Sequence, residues 1–163
     1  MLQVIILFAY YLGVTVAHFY RFVFGAFHFA SIYFVLSHPT TSFTNVFWIV
    51  LLLFYAVYGL ASLVSMILPR EDSPLLAVVI SLFAAVFNGY VSDIPDPIKK
   101  SSYAYWATEA LFNEQTYIFR NFMEVENISA AIWGYHLNQT PTDFSYILLI
   151  GTIYRFFSLT LQW

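Results

Sequence analysis

FAAVFNGYVSDIPDPIKKSSYAYWATEALFNE, residues 83–114, is the stretch that decides how this chain is organised. An apolar run stops at Asn88-Gly89, the chain passes Pro95 and Pro97, and an aromatic segment begins at Tyr103. Asparagine followed by glycine favours a turn, and each proline ends or starts a helix, so the run cannot continue as one rod. Beyond the prolines, Tyr105, Trp106, Glu109, Ala110 and Asn113 fall on one face of a helix. That helix is too short and too charged to cross a bilayer. Its tyrosines and tryptophan suit the headgroup level, which predicts a helix lying on the outer interface or dipping into it.

Composition sets the class. Of 163 residues, 61% are apolar or aromatic and 9% are charged, and the mean hydropathy is +0.74. A water-soluble fold could not hide that much apolar surface. There is no basic stripe to meet phosphates, which excludes nucleic acid as a partner. The chain has no cysteine, so disulfides, thiolate metal sites and cysteine nucleophiles are absent together.

Working outward, apolar runs of about 18 residues or more mark helices able to cross a hydrocarbon core. The reading is an all-α integral membrane fold with about four transmembrane helices, at 21–37, 44–68, 75–92 and 144–162. An interfacial N-terminal helix over 1–20 precedes them, and 93–143 is an outer loop with re-entrant helices, all within a single partial transmembrane domain, 1–163. Thr15, His18 and Arg21 recur every third residue and give 1–20 a polar edge. The alternative there is an uncleaved signal anchor. Four crossings put both termini on one side. Arg21 and Arg70 fall on that same side and make it cytoplasmic. The loop opposite, extracellular or luminal, holds two glycosylation sequons at Asn127 and Asn138, the second weakened by Pro141.

Ala77, Ser81, Ala85 and Gly89 lie four apart, a stripe of small residues that lets another backbone approach closely in lipid. Val78, Leu82 and Val86 form the neighbouring face, with Ala85 at its edge. Glu109 and Glu114 lack the histidine, metal-ligand cluster or nucleophile that a catalytic carboxylate pair needs, so no catalytic residue and no metal site is expected. His18 and His28 raise the alternative of a small haem or redox membrane protein, but ten residues apart on adjoining helical segments they make no axial pair. Arg155 is placed for its side chain to reach cytoplasmic headgroups.

The sequence resembles the White-type half-transporters of the ABC superfamily's G subfamily, in the C-terminal part of their ABC-2 type membrane domain, and especially the divergent plant-like branch. The resemblance rests on Phe87-Asn88-Gly89, then Ile94-Pro95, then Glu109-Ala110-Leu111 with Asn113-Glu114, and on Gly151, Tyr154 and Arg155 in the last span. Phe8-Ala9-Tyr10-Tyr11-Leu12 with His18-Phe19 resembles the segment leading into the third span. The resemblance implies spans three to six of a six-span domain that pairs with a second half-transporter and exports lipid-like or other amphipathic solutes using ATP. It implies Val78, Leu82 and Ala85 as cavity lining, Tyr90 and Val91 as an outer gate, and Trp106, Glu109, Asn113 and Glu114 as the re-entrant motif. No phosphate loop of the Gly-x-x-x-x-Gly-Lys-Ser/Thr type occurs, so ATP and Mg belong to a nucleotide-binding domain outside this chain, and the chain itself is no enzyme. The alternatives are a fragment or degenerate copy, and a non-transporting scaffold of the same fold. A plasma or an organelle membrane fits equally well.

Overall fold

The computed structural model describes residues 2–69, 71–91, 94–119 and 124–161, excepting the side chains of 2–8, 11, 15 and 125–127, and every regular element among them is helical. Helix α1 (Leu2–Ser37) passes Tyr20 and Arg21 without a break. The expected boundary between an interfacial helix over 1–20 and a span over 21–37 is therefore absent. No proline interrupts the stretch, and a helix that satisfies its own backbone continues until something stops it. Its 36 residues extend about 54 Å, well beyond the roughly 30 Å of a hydrocarbon core. Its apolar part, Leu12–Ser37, is long enough to cross.

Helix α2 (Phe43–Ile67) is also long and apolar enough to cross a membrane. Ser42 caps it, its hydroxyl accepting the Asn45 N–H, which removes one orphan donor from the first turn. Helix α3 (Ser73–Val86) begins with Pro74 in its first turn. Then follow α4 (Asp96–Ser101), α5 (Tyr103–Thr116), a 3-10 turn over Tyr117–Phe119, α6 (Val125–Trp133) and α7 (Thr140–Thr160).

Helix α2 is the hub, packed against α1, α3, α5 and α7. Ala26 and Ala30 of α1 are buried against Val46 and Val50 of α2, and the rings of Phe27, Phe34, Phe43 and Phe47 close over that seam. Small residues bring α2 and α7 closest. A Cβ on Gly59 would come within 2.9 Å of the Gly151 carbonyl oxygen, and one on Gly151 within 2.7 Å of the Tyr55 ring and 3.1 Å of the Ala56 Cα. Backbone cannot retreat as a flexible side chain can. Ser62 and Ser158 exchange a 3.0 Å hydrogen bond one turn further along, and Arg155 lays its guanidinium 3.6 Å over the Tyr55 ring while donating to Gly151 O. Arg155 thus turns inward onto α2, where the sequence reading sent it to the headgroups; the Tyr55 ring face offers its charge a near partner. Gly151→Leu is expected to destabilise the protein by about 1–3 kcal/mol, read as a lower thermal midpoint in detergent, because the added side chain overpacks this crossing.

Helix α3 is shorter than the expected span 75–92. It stops at Val86, about 21 Å long by its 14 residues, too short to cross a full hydrocarbon core unaided. Carbonyls at its end and just past it are taken by later residues of the chain. Ser102 Oγ donates to Ala84 O at 2.8 Å, and Tyr135 Oη donates to Asn88 O at 2.5 Å. Asn88 Oδ1 accepts the Tyr90 N–H, and Gly89 takes φ +96°, a left-handed conformation beside the rings of Tyr105 and Tyr135 that a side chain would strain.

Candidate functional site

A cavity of about 590 Å³ lies where α1, α2, α3 and α5 meet. Its walls are almost wholly apolar, with Val46, Val50 and Leu53 from α2 facing Val78, Leu82 and Ala85 from α3. Phe29 and Tyr33 of α1 close one side, and Ala104, Ala107, Thr108 and Leu111 of α5 close another. Few polar groups reach it. Ser81 and Thr108 both give their hydroxyl hydrogens back to their own helix, to Ala77 O and Ala104 O, while the Tyr33 hydroxyl accepts from Gln115 Nε2 at 2.6 Å. A site of this size and polarity takes an apolar or amphipathic molecule.

Val78, Leu82 and Ala85 all line this cavity. Of the small-residue stripe, Ala77, Ser81 and Ala85 line it as well, while Gly89 and Val86 do not, so parts of both faces of α3 that the sequence separated border one space. Tyr90 and Val91, read as an outer gate, lie past the end of α3, exposed at 75% and 40%, and are not among its lining residues. The side chain of Asn127 lies outside the described residues. Asn138 is exposed in a left-handed turn with φ 68°. His18 and His28 are both exposed on α1.

The re-entrant motif is buried in protein, whereas an interfacial position would turn its aromatic face to headgroups. Trp106 stacks on Tyr146 of α7 at 4.0 Å and donates Nε1–H to Lys100 O. Tyr105, 1% exposed, donates its hydroxyl to Gly134 O at 2.7 Å and packs edge-on to Trp106 and Tyr135. Glu109, also 1% exposed, accepts the His136 backbone N–H at 2.5 Å. Asn113 donates from Nδ2 to His136 O at 3.1 Å and to Asp143 Oδ2 at 3.3 Å. Glu114 leaves this group and accepts from Asn45 Nδ2 and Thr41 Oγ1, tying the end of α5 to the start of α2.

Glu109, Asn113, the His136 backbone and Asp143 form a buried polar box between α5 and α7. Burial drives the electrostatics. It raises Glu109 above the usual carboxylate range, opposed by the His136 N–H, and pushes Asp143 up to about 8, aided by the Glu109 charge and opposed by the Asn113 amide. Tyr105 and Tyr135 are raised by the same burial beside Glu109, Tyr135 to about 12. The sequence reading missed Asp143 and the Gly134-Tyr135-His136 segment. Asp143 reads in sequence as an ordinary acid in a first helical turn; the usable signal was Gly134 directly after Trp133, where a left-handed residue with φ 73° ends α6, turns the Tyr135 ring inward and brings the His136 backbone to Glu109 and Asn113.

The sequence model of the ABC-2 type transporter family matches residues 4–162, nearly the full length. The chain belongs to the ABC-2 type transporter family. Among curated proteins, the ABC-type transporter claG of Penicillium crustosum is 32% identical over 116 residues, which make up 66% of this chain and 16% of that protein. The chain thus corresponds to a small part of that relative's length. No solved structure matches. As an ABC-2 type membrane domain the chain is an all-α membrane component of a transporter, and the cavity beside α3 and the polar box between α5 and α7 are features of that domain.

Proposed function

We propose that this ABC-2 type domain forms the wall of a pathway through which an ATP-driven transporter of the G-subfamily type moves lipid-like or other amphipathic solutes. The observation that carries this reading is the apolar cavity of about 590 Å³ walled by Val78, Leu82 and Ala85. In this reading the chain supplies no catalysis. ATP and Mg act in a nucleotide-binding domain carried elsewhere in the transporter, and a second half-transporter completes the route. Tyr90 and Val91, exposed just past the end of α3, would meet that second half as an outer gate. The termini face the cytoplasm and 93–143 the outside, in a plasma or organelle membrane.

The test is ATP-dependent movement of a fluorescent phospholipid analogue by the intact transporter in proteoliposomes, with glycan attachment at Asn127 checking which side 93–143 occupies. Movement equal with and without ATP would overturn the coupling. Movement of hydrophilic dyes alone would overturn the solute class.

A further inference from the structure

We propose that Glu109, Asn113, His136 and Asp143 form a proton-operated latch: one bound proton holds α5 on the first turn of α7, and its release frees α5, whose opposite face walls the cavity. Two carboxyls from different helices are fully buried here, and the partners that reach them are a backbone N–H and a side-chain amide. Such dipoles offset two buried negative charges poorly. Asp143 Oδ1 and Asn113 Oδ1 are buried with no hydrogen-bond partner among the described residues, so the box as drawn with two carboxylates is incomplete. A proton on the Asp143 carboxyl removes one charge and supplies one donor.

The neighbours do not take over that task. From α4, Lys100 is exposed and acts on Glu109 only at a distance, while Asp96 adds negative charge. Tyr105 of α5 and Tyr135 of the 134–137 segment are raised phenols that stay neutral. The His136 side chain is exposed and, like Lys100, acts on Glu109 through its charge without reaching Asp143, and Glu114 turns to Asn45. On α7 itself Tyr146 is engaged in its stack with Trp106, and α2 turns Tyr55 toward Thr152 and Arg155, further along α7.

Helix α5 links the box to the cavity. Tyr105, Glu109 and Asn113 face the box, and Ala104, Ala107, Thr108 and Leu111 face the cavity. Its C-terminal end is held separately, by Glu114 on Asn45 and by Gln115 on Tyr33 and Thr40. Loss of the proton therefore lets α5 swing about that tethered end.

The sign follows from the raised position of Asp143. The folded state holds a proton that the released state gives up, so the latch is firm at low pH and weakens as pH rises through about 8. Hydrogen–deuterium exchange of 103–116 in the intact protein in lipid nanodiscs, corrected for intrinsic exchange, is expected to lose roughly tenfold in protection between about pH 6.5 and about pH 9. Asp143→Asn should remove that dependence and keep the protection. Glu109→Gln, which keeps an acceptor for His136, should move the midpoint to lower pH by removing the adjacent charge. A protonated-carboxyl C=O band should titrate over the same range in infrared difference spectra and be missing in Asp143→Asn. If no such band titrates in the wild-type protein, if Asp143→Asn keeps the wild-type pH dependence, or if protection follows sodium at constant pH, the latch is overturned, the last result assigning the box to a metal cation. None of these readouts uses transport, so failure of the proposed solute pathway leaves them unaffected.

Discussion

Ala85→Trp is expected to reduce ATP-driven solute movement by about tenfold or more while leaving the amount of folded protein in the membrane near wild type. Ala85 is exposed on the cavity wall, where its small side chain faces open space beside Val78 and Leu82. An indole there occupies the space a solute needs and meets no packed backbone. A tenfold loss corresponds to about 1.4 kcal/mol. Ala85→Ser, which adds one atom, should stay close to wild type. Normal solute movement and normal solute-stimulated ATP hydrolysis in a well-expressed Ala85→Trp protein would mean that the solute passes elsewhere. Tryptophan at Leu75, which is 73% exposed and does not line the cavity, serves as the control for added aromatic bulk on the same helix.

The largest loss of stability is expected at Tyr105. Tyr105→Ala should cost about 3–5 kcal/mol, seen as a collapse of the thermal midpoint or of the folded yield, because a fully buried ring is removed and the space cannot close. The ring holds together segments distant in sequence, Gly89 after α3 and the Gly134-Tyr135 corner. Tyr105→Phe keeps the packing and loses only the hydrogen bond to Gly134 O, a cost of about 1 kcal/mol. Equal effects of the two changes would show that the hydroxyl, and not the ring, organises the packing around α5. Only a small loss with Tyr105→Ala would show that α5 is held mainly by its C-terminal ties through Glu114 and Gln115.

Particular residues show how far the sequence could be read. Asn88-Gly89 marked the end of an apolar run, and the structure turns there, yet the expected span reached Ser92 because hydropathy continues through Tyr90 and Val91. The helix stops earlier, where Ser102 takes the Ala84 carbonyl in its last turn and Tyr135 takes the Asn88 carbonyl just past it. The face of Tyr105, Trp106, Glu109 and Asn113 was legible as an amphipathic stripe. What it packs against was not, because a stripe that suits headgroups equally suits a protein wall with matching rings and polar groups. The three α3 residues assigned to a cavity do border one, while Tyr90 and Val91 stand outside its lining. The small-residue stripe on α3 attracted the close-packing argument, but the tightest crossing joins Gly59 to Gly151, two glycines with no local pattern to pair them.

The sequence by itself determined that this is an all-helical membrane chain, since in lipid each helix must satisfy its own backbone and runs of apolar residues can do so locally. It also carried the order of motifs that places the chain in its family. Only the tertiary structure decided that α2 is the hub, that the aromatic face of α5 is covered by α7, and that Asp143 meets Asn113 across thirty residues of sequence. Those partners are chosen by shape and by the need to satisfy buried polar groups, and neither leaves a periodic trace in a single strand of sequence.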